Sequence, residues 1–275
     1  MTRHLLSAIF TAALLMTSAA AFAASDKQSA PPGSFDGAPA QYTRFTATEL
    51  TRGFLALAFG SDLSIGAKSK GVRRFTHDIR ARVVSTGSVN RKTAVEKIIA
   101  EYAVAVPNLR LRLAQGDDEA DITVRLIDEG DFANAIESAF GRETARAFVE
   151  KTDAQCMTSV RSDRDGEIAH SISFVIVDQG DDVFLDCAYH ELLHAFGLSN
   201  HDDKNPWTML NQERQVGYLT VYDRSLLTIL YDPRIEPGLT HAQARRLLPK
   251  LIHDLGLADG GHRAPHDGAL GGNRR

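Results

Sequence analysis

The chain has 275 residues, 43% of them hydrophobic and 24% charged, a composition that excludes a disordered, collagen-like or low-complexity protein. With 31 Lys and Arg against 35 Asp and Glu, the net charge is −4, so there is no basic excess to attract a nucleic-acid backbone. No nucleic-acid partner is expected.

In chain order, the first 23 residues combine Arg3 and His4, an apolar run from Leu5 to Met16, and small residues ending in Ala21-Phe22-Ala23. A basic start, a short apolar run and an A-x-A site describe a secretory signal peptide cut after Ala23. A retained anchor would need about 20 predominantly apolar residues, and Thr11, Thr17 and Ser18 interrupt this run. No other stretch is apolar for long enough to span a bilayer. The protein is therefore expected to be exported, periplasmic or secreted, without stable membrane insertion once the signal is cut.

Residues 24–40, rich in Pro, Gly, Ser and Ala, are expected to form a flexible linker, and residues 259–275 a disordered tail. The patterned block 41–258 between them is expected to be a single domain. Thr46 and Glu49 have capping-box spacing ahead of Leu50, Phe54, Leu55 and Leu57, which predicts a helix ending near Gly60. Val72 to Val84 reads as a strand and Ser88 to Ala103 as a helix with Val95, Ile98, Ile99 and Tyr102 on one face. Leu109, Leu111 and Leu113 alternate with arginines as a short strand, and Ile122, Val124 and Leu126 form another. Asp131 to Glu150 is helical in one or two pieces. Met157 to Arg161 and Ile168 to Val177 read as a hairpin closed by Asp163-Arg164-Asp165-Gly166. Strand–helix alternation followed by a helix-rich end predicts an α+β (mixed α/β) domain.

Cys156 and Cys187 are an even pair, and in an oxidising compartment one disulfide is the default; two free buried thiols are the alternative. Cys187 precedes His190 by three residues, so a bridge would tie that helix to the hairpin and fix where the imidazoles point. A metal-capping role for the Cys187 thiolate would leave Cys156 unpaired.

The informative segment runs from Asp181 to Met209. Asp181 or Asp182 can cap a helix whose apolar positions Phe184, Leu185, Ala188, Leu192, Ala195 and Phe196 recur at helical spacing. His190 and His194 sit on it at i, i+4, one turn apart on one face, which suits joint capture of one ion. Glu191 is rotated off that face and can reach a metal-bound water as general base. With 10 His and 12 Glu in the chain, this HExxH pattern is expected by chance about 0.02 times. The plain alternative is an amphipathic helix with two exposed histidines and a solvated glutamate.

HELLHAFGLSNH resembles the extended metzincin motif HExxHxxGxxH, in which the glycine turns the chain so that a third residue reaches zinc. Trp207-Thr208-Met209 is similar in placement to the methionine turn beneath the metal in that clan; otherwise Met209 is core filler. A closer resemblance is to a family of exported bacterial proteins known only as a domain of unknown function. Its C-terminal signature is similar to Leu230-Tyr231-Asp232-Pro233-Arg234 followed by Pro237-Gly238, and the likeness spans roughly residues 45–257. These resemblances imply a metzincin-like zincin domain, a twisted mixed sheet packed on helices, with no established substrate.

The chain departs from the clan at the third ligand. Asn200 occupies the usual position, and an amide oxygen is a poor zinc donor. His201, one residue later, leads; Asp202, or no protein ligand at all, is the alternative. A glutamate ligand of the gluzincin kind would have to be Glu213, which sits in a polar stretch. Tyr218 and Tyr222 are candidates to stabilise an oxyanion, or else packing residues. His77, His170 and His241 read as ordinary structural residues. The leading expectation is an exported Zn²⁺ metalloendopeptidase with His190, His194 and His201 as ligands and Glu191 as base, acting on a peptide or protein substrate. By analogy, Ile168 to Val177 would be the strand beside the cleft along which an extended peptide lies. The rival is a non-catalytic envelope module that keeps the fold for binding a peptide or cell-wall partner. A zinc-stabilised structural domain would need four Cys/His ligands, which are not apparent. Oligomeric state is not legible.

Overall fold

The structure, a computed structural model, describes residues 45–59, 71–116, 118–149 and 155–258. The expected signal peptide, the linker and the tail lie outside the described residues, as does Gly60. The elements in order are α1 (Ala47–Ala58), β1 (Ile79–Ser85), α2 (Lys92–Ala105), β2 (Leu111–Leu113), β3 (Ile122–Ile127), α3 (Glu129–Phe140), α4 (Arg142–Val149), β4 (Cys156–Ser162), β5 (Ile168–Ile176), α5 (Asp181–Ala195), α6 (Val221–Leu230) and α7 (His241–Asp254). The fold is mixed α/β.

Local signals account for most boundaries. The capping box of α1 is formed: the Thr46 hydroxyl accepts from the Glu49 N–H, and the Glu49 carboxylate accepts from the Thr46 N–H at 2.8 Å. Gly141, at φ 86°, separates α3 from α4. Two expected elements are shorter than their apolar pattern. The β1 ladder begins at Ile79, where its parallel partner Leu111 begins, and the preceding residues make only isolated bridges, Gly71 to Thr240 and Arg74 to Glu167. Helix α2 starts at Lys92 because the Asp128 carboxylate takes both the backbone N–H and the hydroxyl of Ser88, drawing that segment into a loop.

One five-stranded sheet has the order β2-β1-β3-β5-β4. Strands β2, β1, β3 and β5 are parallel, while β4 pairs antiparallel with β5 as the outer strand of the hairpin. This corrects one expectation. Ile168–Ile176 is not a cleft edge, because β5 is hydrogen-bonded to β3 on one side and β4 on the other. The open edge on that side of the sheet belongs to β4.

The β5 side chains divide the interior. Phe174 and Ile176 pack with Phe132, Ile136 and Met157 beneath α3, whereas Val175 joins the main core under α5. Small polar residues let α5 approach the sheet closely. The Ser171 hydroxyl donates to Ala195 O at 2.9 Å, and the Thr158 hydroxyl donates to Glu191 O at 3.0 Å. Cys156 at the start of β4 and Cys187 on α5 form a disulfide. No helix among the described residues is long and apolar enough to cross a membrane.

Candidate metal centre

Helix α5 carries His190 and His194 one turn apart. The Nε2 atoms of His190 and His201 are 3.0 Å apart, and that of His194 is 3.1 Å from each of the other two. Among the described residues, these three histidines are the group whose donor atoms could jointly hold a metal ion.

The tautomers follow from the other ring nitrogens. His190 Nδ1 lies 3.0 Å from Met209 O and His194 Nδ1 lies 2.6 Å from Leu198 O. A carbonyl can only accept, so both Nδ1 atoms carry the proton, and each neutral ring turns an Nε2 lone pair inward. Burial, with His201 close by, lowers His190 to a pKa of about 3, and burial beside the other two imidazoles holds His194 well below its ordinary value. Lone pairs facing one another at 3 Å repel unless a cation lies between them. Tetrahedral zinc, with Zn–N of about 2.0–2.1 Å, needs nitrogens about 3.3–3.4 Å apart, a few tenths of an ångström wider than this triangle. Hydrogen bonds from Nδ1 to backbone carbonyls are also the usual support of metal-binding histidines.

The chain reaches His201 by a specific route. After Ala195, Gly197 adopts φ 117° and its backbone lies so close to Arg73 that a Cβ would sit 2.1 Å from Arg73 O. Ser199 N and Asn200 N then both donate to Leu57 O, and the Asn200 side-chain amide donates to Ala56 O at 3.0 Å. Asn200 is thus spent on the last carbonyls of α1, and the next residue turns back to the cluster. The structure brings His201, rather than Asn200 or Asp202, to the other two imidazoles. Glu213 is exposed in a turn.

Glu191 is 4% exposed, and its Oε2 is shut off from solvent with no hydrogen-bond partner. Burial pushes its pKa up to about 8, with Thr158 opposing the shift and Asp186 adding to it. An orphaned carboxylate oxygen on the helix that carries two of three converging imidazoles fits a hydrated cation. The donor set suits zinc.

Met209 is fully buried beneath His190, and its carbonyl holds that ring. Its N–H donates to Asp223 Oδ2 at 2.8 Å, and the Thr208 hydroxyl donates to Asp223 Oδ1 at 2.6 Å. Asp223 is buried on α6 and takes a third bond from Thr220. Sequence reasoning missed it. Its only signal was the Thr220–Asp223 spacing, which marks a helix start and says nothing about the distant turn it supports.

The other candidates lie elsewhere. The Tyr222 hydroxyl donates to Glu49 O, and its ring packs edge-on to Phe45, so it is a packing residue. Tyr218 is half-buried against the main core. His77 lies 3.5 Å from both Asp121 and Glu167, His170 lies within β5, and His241 opens α7 against Phe59.

The fold and cluster define a mixed α/β domain with a half-buried three-histidine site. The chain belongs to the family described as "Protein of unknown function (DUF2927)", which it matches over residues 47–250. No curated protein matches it.

Proposed function

We propose that this protein is an exported zinc-dependent peptidase of metzincin-like architecture. The observation that carries the reading is the convergence of three imidazoles, together with a solvent-excluded, unpartnered Oε2 on Glu191, the residue after His190. His190, His194 and His201 would hold the ion, which when bound supplies Lewis-acid activation of a water and of the scissile carbonyl. Glu191 accepts the proton of the attacking water at Oε2 and returns it to the leaving amine nitrogen. Met209 O keeps His190 in the tautomer that presents Nε2. An extended substrate would align along β4, whose Thr158 already bonds the α5 backbone at Glu191. The disulfide and the signal-like leader support export.

The binding-module alternative drew its support from Asn200 at the usual ligand position, and the bond from Asn200 to Ala56 O accounts for that residue structurally. The test is metal analysis of the purified mature protein together with Glu191→Gln. The wild type should carry about one zinc, and the variant should keep zinc and fold while losing at least about 100-fold in peptide hydrolysis. No zinc after zinc-replete purification removes the reading. A zinc protein that cleaves nothing in a broad peptide library favours the binding module.

A further inference from the structure

A groove of about 520 Å³ runs between α1 and α7, away from the histidine cluster. Phe59, just past α1, meets His241 at the start of α7 with ring centroids 5.3 Å apart, so the helices run antiparallel. Arg52 and Arg245 both line the groove, about two helical turns and about one turn in from that end respectively, so both guanidiniums border the same cleft. Neither makes an ion pair or hydrogen bond with a described residue. Glu49, the acid whose charge couples to Arg52, is committed to the Thr46 cap. Two guanidiniums bordering one groove give it a positive lining that an anion would complement.

Two further features define what kind of anion fits. Leu55, Ala56 and Pro249 make an apolar wall that a bare inorganic anion would leave uncovered. Pro249 lies inside α7 and has no N–H, so the carbonyl of Arg245 lacks its usual i+4 donor. The groove thus offers two cations and an under-bonded carbonyl above an apolar wall.

We propose that this groove binds an acidic peptide segment. A carboxylate would sit between Arg52 and Arg245, a neighbouring apolar side chain would lie on Leu55, Ala56 and Pro249, and a backbone N–H would meet the Arg245 carbonyl. The assignment does not depend on peptidase activity. Ala56 does join the two places, because its carbonyl accepts from Asn200, the residue before His201.

The test measures binding of fluorescein-labelled peptides of alternating Glu and Leu, or Gln and Leu, to the full chain in a Glu191→Gln background, so that cleavage plays no part. The Glu peptide should bind at least tenfold tighter than the Gln peptide, with an affinity that falls as salt rises. The double variant Arg52→Gln, Arg245→Gln should erase that preference while its thermal melt stays unchanged, since both side chains are exposed. Arg245→Glu should invert it, favouring a Lys–Leu peptide. Equal affinity for the Glu and Gln peptides, a preference that survives in the double variant, or no binding at millimolar peptide overturns the proposal. Complete displacement by an equal concentration of inorganic phosphate overturns it too, since that marks a site for simple anions.

Discussion

At the scale of residues, the HExxH core was legible because its information is local. A helix of known pitch places His190, Glu191 and His194 without reference to the rest of the chain. The third histidine was not fixed by the same logic. His201 reaches the cluster because Asn200 is held by Ala56, a partner 144 residues away in sequence. His201→Ala is therefore expected to lower zinc affinity by orders of magnitude and Asn200→Ala to leave it largely intact, as read by competition with a zinc chelator. The reverse ranking would mean that the loop follows ordinary spacing. Asp223 was illegible for a related reason, since its three donors converge only after folding. Burial raises its pKa from 3.8 to about 6 against those three bonds, so the folded state holds its proton more tightly than the unfolded chain. The resulting stabilisation is fully present below pH 4 and is lost as the pH rises through 6. In urea titrations, the advantage of wild type over Asp223→Asn should shrink across that window. A constant difference would show that Asp223 stays ionised throughout.

At the scale of elements, helices with a clear apolar period were found close to their true limits, and ladder ends were not, because a strand ends where its partner does. The Leu230–Arg234 segment with Pro237-Gly238, noticed as a signature, turns out to be a structural latch. Arg74 Nη1 lies 2.9 Å from Leu230 O, 2.9 Å from Asp232 O and 2.8 Å from Ile235 O, and its guanidinium stacks over Tyr231. The Tyr231 hydroxyl donates to Phe196 O at the end of α5. Gly238, at φ 75°, packs so tightly that a Cβ would lie 2.5 Å from Asp165 O in the hairpin turn. One short segment thereby joins the approach to β1, helix α5 and the β4–β5 turn. Arg74→Met strands three carbonyls and is expected to destabilise the fold by about 2–4 kcal/mol, with Arg74→Lys costing less. Denaturant midpoints for the two variants check the ranking; equal effects would show that only the charge matters.

At the scale of the whole molecule, the sheet and the α5 layer are held in register by the Cys156–Cys187 bridge, which closes a 31-residue separation. Non-reducing peptide mapping should recover the linked pair, and replacing both cysteines with serine should cost about 3–4 kcal/mol in the chain-entropy picture. Two alkylatable thiols in unfolded, unreduced protein would contradict the bridge. The pairing was legible from the cysteine count and the signal-like start of the sequence, whereas the order of strands was not. Nothing in the alternation of β4 and β5 says which of them ends the sheet, because that depends on where β3 docks.

The bond from Asn200 to the end of α1 also orders events in time. Helix α1, made well before α5, supplies the carbonyls that hold the residue before the last of the three histidines, so the cluster cannot close on contacts between sequence neighbours alone. Long-range closures of this kind come late in folding. Under the proposed export of an unfolded chain, two histidines would emerge in register and the third adrift, and the trio would close only once α1 had come home.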